Sequence, residues 1–290
     1  MHFRSNPYCQ SSKYHYSLAL TAIFRNEAPY LKEWIEFHRE VGFDHFYLFD
    51  NLSVDSYLPV LQTYIEHGIV DLFSWPLEHT QQNDWTDIQC LAYEKALQLA
   101  RDQAKWLAII DVDEFLFPAK KRSLVEILSQ YENFGGIGVN WQVFGTSRVS
   151  KIPENRLLIE TLHLKLPEND SANRFIKSIV QPKFVLGCTN PHYVVYRPGY
   201  FQVNSDSIPF IGSESPYVQI DTIRINHYRL RDEHYLHAQK IPRARKWWNA
   251  QPEERWKAYY QSFNQVSDRA ISRFIPCVKD RLKASYPDQM

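Results

Sequence analysis

The 290-residue chain lacks most of the features that would place it in a specialised class. Its four cysteines, Cys9, Cys90, Cys188 and Cys277, are far apart and form no C-x-x-C pair. That predicts neither a zinc site nor a disulfide framework and suits a reducing compartment. No stretch approaches 18 consecutive apolar residues, and the amino-terminal MHFRSNPYCQSSKYHYS has no apolar run of signal-peptide character. A soluble, non-exported, cytoplasmic protein is therefore expected. An excess of one charge is missing too: 33 basic residues balance 33 acidic ones, so no global field steers the chain to nucleic acid or anionic lipid. No internal repeat or low-complexity tract appears, and function must come from a local site. What is present is 44% hydrophobic content, ample for one large core, and 15% aromatic residues with eight Trp, which mostly build that core.

Residues 1–16 read as a loose leader. LALTAIF (18–24) reads as a buried strand, followed at once by Arg25, Asn26 and Glu27 and a helix with Pro29 in its first turn. Gly42 ends that helix. HFYLFD (45–50) is a second strand closing on an acid, 58–67 a second helix stopped by Gly68, and IVDLFSW (69–75) a third strand. Asp84 opens a helix whose buried face is traced by Ile88, Leu91, Ala92, Ala96 and Leu99, with Gln82, Asn83 and Trp85 at its start near the crevice. Ser123 and Glu126 have capping-box spacing, and 137–147 reads as a further strand. Strand and helix alternate, which predicts an α/β fold: a Rossmann-like, mostly parallel central sheet flanked by helices, with ligands outside the carboxyl ends of the strands. Beyond residue 150 the pattern weakens, with strands expected over 174–185, 193–203 and 221–230. The expected organisation is one domain over 17–230 and a helical appendix over 231–290.

The centre of the sequence is WLAIIDVDEFLFP (106–118). A buried apolar run ends abruptly on Asp111, Val112, Asp113 and Glu114. If the segment stays extended, Asp111 and Asp113 point the same way, and two carboxylates on one side suit a hard divalent cation. An isolated D-x-D is also an ordinary polar turn. Likewise Arg25-Asn26-Glu27 serves equally as a helix N-terminus, where Asn caps and Glu suits the dipole.

The runs TAIFRNEAPYLKEWIEFHREVGFDHFYLFDN, WLAIIDVDEFLF, NWQVFGTS, RFIKSIVQP and INHYRLRDEHYLHAQKIPRAR, in that order, resemble glycosyltransferase family 92 and its relatives in the family 2-like clan. The resemblance spans roughly residues 17 to 245. It implies a GT-A fold that transfers a sugar from a UDP-sugar, galactose-type donors favoured, with Mn²⁺ or Mg²⁺ and inversion at the anomeric carbon. It implies that Arg25, Asn26 and Glu27 face the nucleotide and that Asp50 holds base or ribose. Asp111 would contact ribose and metal-bound water, Asp113 the metal, and Lys177 the donor phosphates, while His227 would complete the metal shell. His192 is a second candidate ligand or a donor to the phosphates. The general base is not placed: Asp206, Glu214 and Asp221 border the expected acceptor region, with Glu160 and Asp170 as further options. Trp141, Phe144 and Gly145 are candidates to stack on sugar, though aromatic residues near a strand end are usually core. Lys240, Arg243, Arg245 and Lys246 with Trp247 and Trp248 form a basic cluster. It reads as a solvated helix, or as a peripheral contact with phosphates or the inner face of a membrane carrying a lipid-linked acceptor.

The partners expected are a nucleotide-sugar donor and a hydroxyl acceptor on a glycan, lipid or protein, with no nucleic acid. Two other readings stand beside this one. A non-catalytic nucleotide-sugar or carbohydrate binder would keep the fold, and a nucleotidyltransferase would share the paired acids, but FRNEAPYL lacks that class's glycine-rich phosphate loop.

Overall fold

The computed structural model describes residues 14–78, 82–120, 123–247 and 253–285. The expected leader lies outside the described residues except for 14–16, as do Cys9 and Trp248 and the side chains of Gln82, Asn83, Lys246 and Trp247. Strands and helices alternate through the first half: β1 (Tyr16–Phe24), α1 (Ala28–Glu40), β2 (His45–Asp50), α2 (Tyr57–Glu66), β3 (Val70–Ser74), α3 (Gln82–Ala100) and β4 (Ala104–Ile109). Shorter elements follow: β5 (Glu114–Pro118), α4 (Leu124–Leu128), β6 (Gly136–Val143), α5 (Leu158–Thr161), β7 (Leu164–Lys165), β8 (Ile176–Val180), β9 (Val185–Asn190), β10 (Tyr193–Tyr196), β11 (Gln202–Val203) and β12 (Ile223–His227). The chain then turns helical: α6 (Glu233–Tyr235), a π-helical turn at Leu236–Lys240, α7 (Ile241–Trp247), α8 (Glu253–Gln261) and α9 (Ile275–Ser285), with β13 (Val266–Ser267) pairing back to β7.

Nine strands form one sheet in the order β3-β2-β1-β4-β8-β6-β12-β5, with β11 beside β6. β3, β2, β1 and β4 are mutually parallel, and so are β6 and β12; β8 and β5 are antiparallel to their neighbours. The expected α/β architecture, a mostly parallel sheet flanked by helices, is what the chain adopts. β1 shows why. Leu18, Leu20, Ala22 and Phe24 pack with Leu31, Trp34 and Phe37 of α1, whereas Ala19 and Ile23 pack with Ala92, Tyr93 and Ala96 of α3. A strand covered on both faces is apolar almost throughout, which is the run seen in the sequence, and its one buried hydroxyl, Thr21, donates to the Tyr47 carbonyl at 3.0 Å.

Several local expectations are corrected. The buried face of α3 runs through Gln89, Ala92, Tyr93, Ala96 and Ala100, while Leu91 is half exposed. Ser123 makes no side-chain cap bond, so the capping box does not form. The expected strand 174–185 breaks at Pro182, which has no N–H to give a ladder and opens a 3₁₀ turn, Pro182–Phe184. The expected strand 193–203 breaks at Pro198 and Gly199, whose φ of +87° is left-handed. The residues after 231 pack onto the sheet's helices: Phe274 meets Phe37 at 5.5 Å between ring centroids, and Arg281 Nε donates to Glu40 at 2.9 Å. Tyr260, Phe263, Ile271 and Val278 belong to the same hydrophobic cluster as β1 and α1.

Candidate functional site

Strand direction decides which residues meet. β1, β2, β4, β6 and β12 end at one edge of the sheet, and the antiparallel β5 and β8 begin there. A cleft of about 1470 Å³ opens along this edge, and Arg25, Asn26, Glu27, Asp111, Asp113, Lys177, His192 and His227 all line it. Registry brings the acids to the histidine: β12 pairs antiparallel with β5 so that His227 stands opposite Glu114, one residue after Asp113.

The D-x-D segment does not stay extended. Between β4 and β5 the chain turns, with Glu114 N–H donating to the Asp111 carbonyl at 3.1 Å, and the two carboxylates serve different partners. Asp111 Oδ2 accepts from Lys177 Nζ at 2.9 Å, and its Oδ1 accepts from Tyr93 Oη at 3.1 Å and Gln89 Nε2 at 3.3 Å. Asp113 Oδ1 lies 3.5 Å from His227 Nε2. Burial alone would raise the Asp113 carboxyl, but His227, Lys240 and Arg231 outweigh it and hold the group below the usual carboxylate range. Burial lowers the His227 imidazole, and Asp113 pulls against that shift.

Lys177 is not presented as an open phosphate cation. It is 1% exposed and pinned between Asp111 and Glu114, whose Oε2 lies 3.9 Å away. Burial would lower its pKa, and these two acids more than offset that. Glu114 is fully buried; burial pushes its carboxyl well up, and its Oε2 also accepts from Asp111 N–H at 2.9 Å. Other cations stand closer to open space. Lys240, brought in by the π-helical turn, lines the cleft with Arg229 and Arg243; desolvation, with Arg229 adding to it, lowers the ammonium to about 7.

The segment after β1 is built as a loop anchor. Asn26 adopts a left-handed φ of 58°, donates its N–H to Ser53 Oγ at 2.9 Å, and accepts from Val54 N–H at 2.8 Å. Glu27 pairs with buried Arg231, whose guanidinium stacks on Tyr30 at 3.8 Å and Tyr235 at 4.6 Å. Arg25 is exposed at the cleft rim. His192 stands beside Trp141, at 5.2 Å between centroids. Trp141 and His227 are in ring contact at 4.4 Å, and Trp141 lines the cleft, whereas Phe144 is buried core.

Other expected site residues lie elsewhere. Asp50 ends β2 at the right edge but does not line the cleft: its oxygens accept from Ser53 N–H at 3.0 Å and Tyr57 Oη at 2.9 Å, closing their own turn. Asp206 accepts from Gln219 and from Tyr217, Glu214 sits 3.9 Å from Arg174 and is nearly half exposed, and Asp221 is exposed before β12. None of these three lines the cleft; all lie in residues 204–221, which join β11 to β12 without a helix or strand of their own. Glu160 pairs with Arg156 and Lys279, and Asp170 caps the turn at Ala172. Conversely, Gln89, Tyr93, Arg229 and Arg231 escaped the sequence reading. Gln89 and Tyr93 are four apart on an otherwise apolar helical face, and that was the available signal.

A divalent cation fits part of this set. A carboxylate oxygen and a neutral imidazole nitrogen 3.5 Å apart can both reach one ion at bond lengths of about 2.1 Å. Asp111 is tied to Lys177, and among the described residues no three His, Cys, Asp or Glu side chains form a ready metal cluster, so remaining ligands must come from substrate and water. Among the described residues no helix is long and apolar enough to cross a membrane, and Cys90, Cys188 and Cys277 are free thiols.

The model of glycosyltransferase family 92 matches residues 16–274. A glycosyltransferase family 92 protein of Ricinus communis is 25% identical over 223 residues, covering 74% of this chain and 38% of the relative. One of Oryza sativa subsp. japonica is 29% identical over 172 residues, covering 58% of this chain and 27% of the relative. This chain thus spans well under half the length of the curated relatives it matches. Among solved structures, S. aureus TarS 1-349 in complex with UDP-GlcNAc aligns with a TM-score of 0.36 at 11% identity, covering 93% of this chain and 83% of that one. With the family model covering nearly the whole chain, from the first strand to the last turn before α9, the chain belongs to glycosyltransferase family 92.

Proposed function

We propose that the cleft binds a UDP-sugar and transfers its hexose, galactose being the donor favoured by the family, to a hydroxyl of a glycan, lipid or protein, with inversion. The observation that carries this is the Asp113–His227 pair at the mouth of parallel strands, faced by Lys240, Arg229 and Arg243. A nucleoside diphosphate is the ligand whose charge such a wall complements.

Asp113 and His227 would hold Mn²⁺ or Mg²⁺. A divalent cation bound there supplies positive charge to the diphosphate oxygens as the glycosidic bond breaks. Lys240 and Arg229 line the same cleft and add positive charge to it, with Asp113 the acid that acts on Lys240. Lys177 acts one step back, holding Asp111 in place. Arg25 at the rim is positioned for the nucleotide, and Trp141 offers a flat apolar surface to the sugar.

Thermal melting with UDP, with and without Mn²⁺, tests the reading. Saturation at about 100 times Kd adds roughly 2.7 kcal/mol, which raises Tm by several degrees. The metal-dependent part is expected to vanish in Asp113→Asn. An unshifted Tm with every nucleoside diphosphate would refute the assignment, and UDP binding without release of UDP from any UDP-sugar would make the chain a non-catalytic binder.

A further inference from the structure

Inverting transfer needs a group that takes the acceptor's proton, and the carboxylates of the cleft are otherwise engaged. Glu27 is held by Arg231, Asp111 by Lys177 and Asp113 by His227. Glu33 accepts the N–H groups of Leu158 at 2.7 Å and Ile159 at 2.9 Å, and Asp232 accepts those of Ile152 and Tyr235, each at 2.8 Å. Glu154 stands exposed in the loop before α5, with no partner among the described residues that would orient it.

His192, in the turn joining β9 to β10, is different. Its backbone N–H donates to Asn190 Oδ1 at 2.9 Å, and its Nδ1 lies 3.0 Å from the Ile176 carbonyl oxygen. A carbonyl only accepts, so Nδ1 carries the hydrogen and Nε2 keeps a lone pair. The ring is wedged edge-on to Trp141 at 5.2 Å and lies 5.7 Å from Phe175. It lines the cleft, and no hydrogen bond or ion pair among the described residues uses Nε2. Of the other imidazoles there, His227 faces Asp113, and His234 is exposed with nothing fixing its ring.

We propose that His192 is the general base of the transfer, a role that rests on the UDP-sugar reading above. The acceptor oxygen bonds to the anomeric carbon while its proton passes to Nε2. The bond from that carbon to the phosphate oxygen breaks, and its electron pair leaves with UDP. Burial, with Lys177 beside it, lowers the imidazole to about 4, so the ring is neutral and able to accept. Negative charge accumulating on the departing diphosphate raises its basicity as the proton moves.

The test uses the 290-residue chain, UDP-galactose and UDP-glucose, with water as the acceptor and UDP release as readout. His192→Ala and His192→Gln are expected to lose about 10²–10⁴ in kcat while UDP affinity stays within about threefold. Added imidazole should restore turnover in His192→Ala and leave the wild type unchanged. Turnover by both variants near the wild-type rate would overturn the assignment, and so would a parallel loss of UDP affinity, which would make His192 a donor ligand. A wild-type chain that binds no UDP would instead bring down the UDP-sugar reading, and this role with it.

Discussion

Lys177→Met separates a strut from a phosphate ligand. Lys177 Nζ lies 2.9 Å from Asp111 and 3.9 Å from Glu114, with the lysine 1% exposed and Glu114 not exposed at all. At an effective dielectric of about 20, a charge pair at that 3.9 Å separation is worth roughly 4 kcal/mol. Asp111 is about a third exposed and solvent screens its share, so Glu114 sets the scale. Removing the cation strands a buried carboxylate, and the expected loss is about 3–5 kcal/mol. Glu114 can answer by taking a proton, since burial already pushes its carboxyl well up, and that places the loss toward the lower end. Lys177→Met/Glu114→Gln should recover at least half of that loss, about 1.5–2.5 kcal/mol relative to Lys177→Met, and this recovery plus the cost of Glu114→Gln alone is the coupling in a double-mutant cycle. Urea denaturation followed by circular dichroism at pH 7.5 measures all four proteins. A Lys177→Met variant within about 1 kcal/mol of wild type that no longer binds UDP would refute the reasoning and make Lys177 a phosphate ligand.

Three further outcomes are expected. His38 is buried, donates from Nδ1 to the Trp34 carbonyl at 2.8 Å and accepts Leu116 N–H at 3.2 Å; burial lowers it from 6.5 to about 3. The unfolded chain takes up this proton first, so the stability is fully present above pH 6.5 and is lost as pH falls toward 3, at about 1.4 kcal/mol per pH unit. The difference in urea stability between wild type and His38→Gln should shrink with that slope; the opposite trend of Glu33, raised to about 7 by burial, cancels in the difference, and a flat difference would contradict the account. Arg231→Met should cost about 3–5 kcal/mol by stranding Glu27, and Arg231→Lys should not restore it, because an ammonium cannot stack flat between Tyr30 and Tyr235; thermal melts decide. Gly136→Ala sets a methyl 2.7 Å from the Ile179 carbonyl oxygen across the β6–β8 ladder and should lower stability by about 1–3 kcal/mol, whereas no change would mean the strands part freely.

The alternating half of the molecule was legible because its signals are local. β2 occupies the residues its apolar run marks, and Gly42 and Gly68 stop their helices at left-handed φ of 111° and 66°. The second half was harder. Pro182 and Pro198 interrupt runs that read as strands, and the pairing that matters there joins residues far apart in sequence, as β12 with β5 and β8 with β4. The base candidates Asp206, Glu214 and Asp221 carried no signal beyond being acidic, and none of them lines the cleft.

By itself the sequence determined the α/β class and put Asp111 and Asp113 at the end of a buried strand, because burial on both faces of a strand and polar residues at its end are written in neighbouring positions, whereas Lys177 and His227 were singled out by the family resemblance. Only the tertiary structure decided what each of them touches. Whether Asp111 is free or held by Lys177, whether Asp50 faces ligand or its own Ser53 and Tyr57, and whether His192 offers a lone pair to the cleft depend on contacts between distant segments. A carboxylate's chemistry is set by the groups within about 4 Å of it, and chain order does not specify those neighbours.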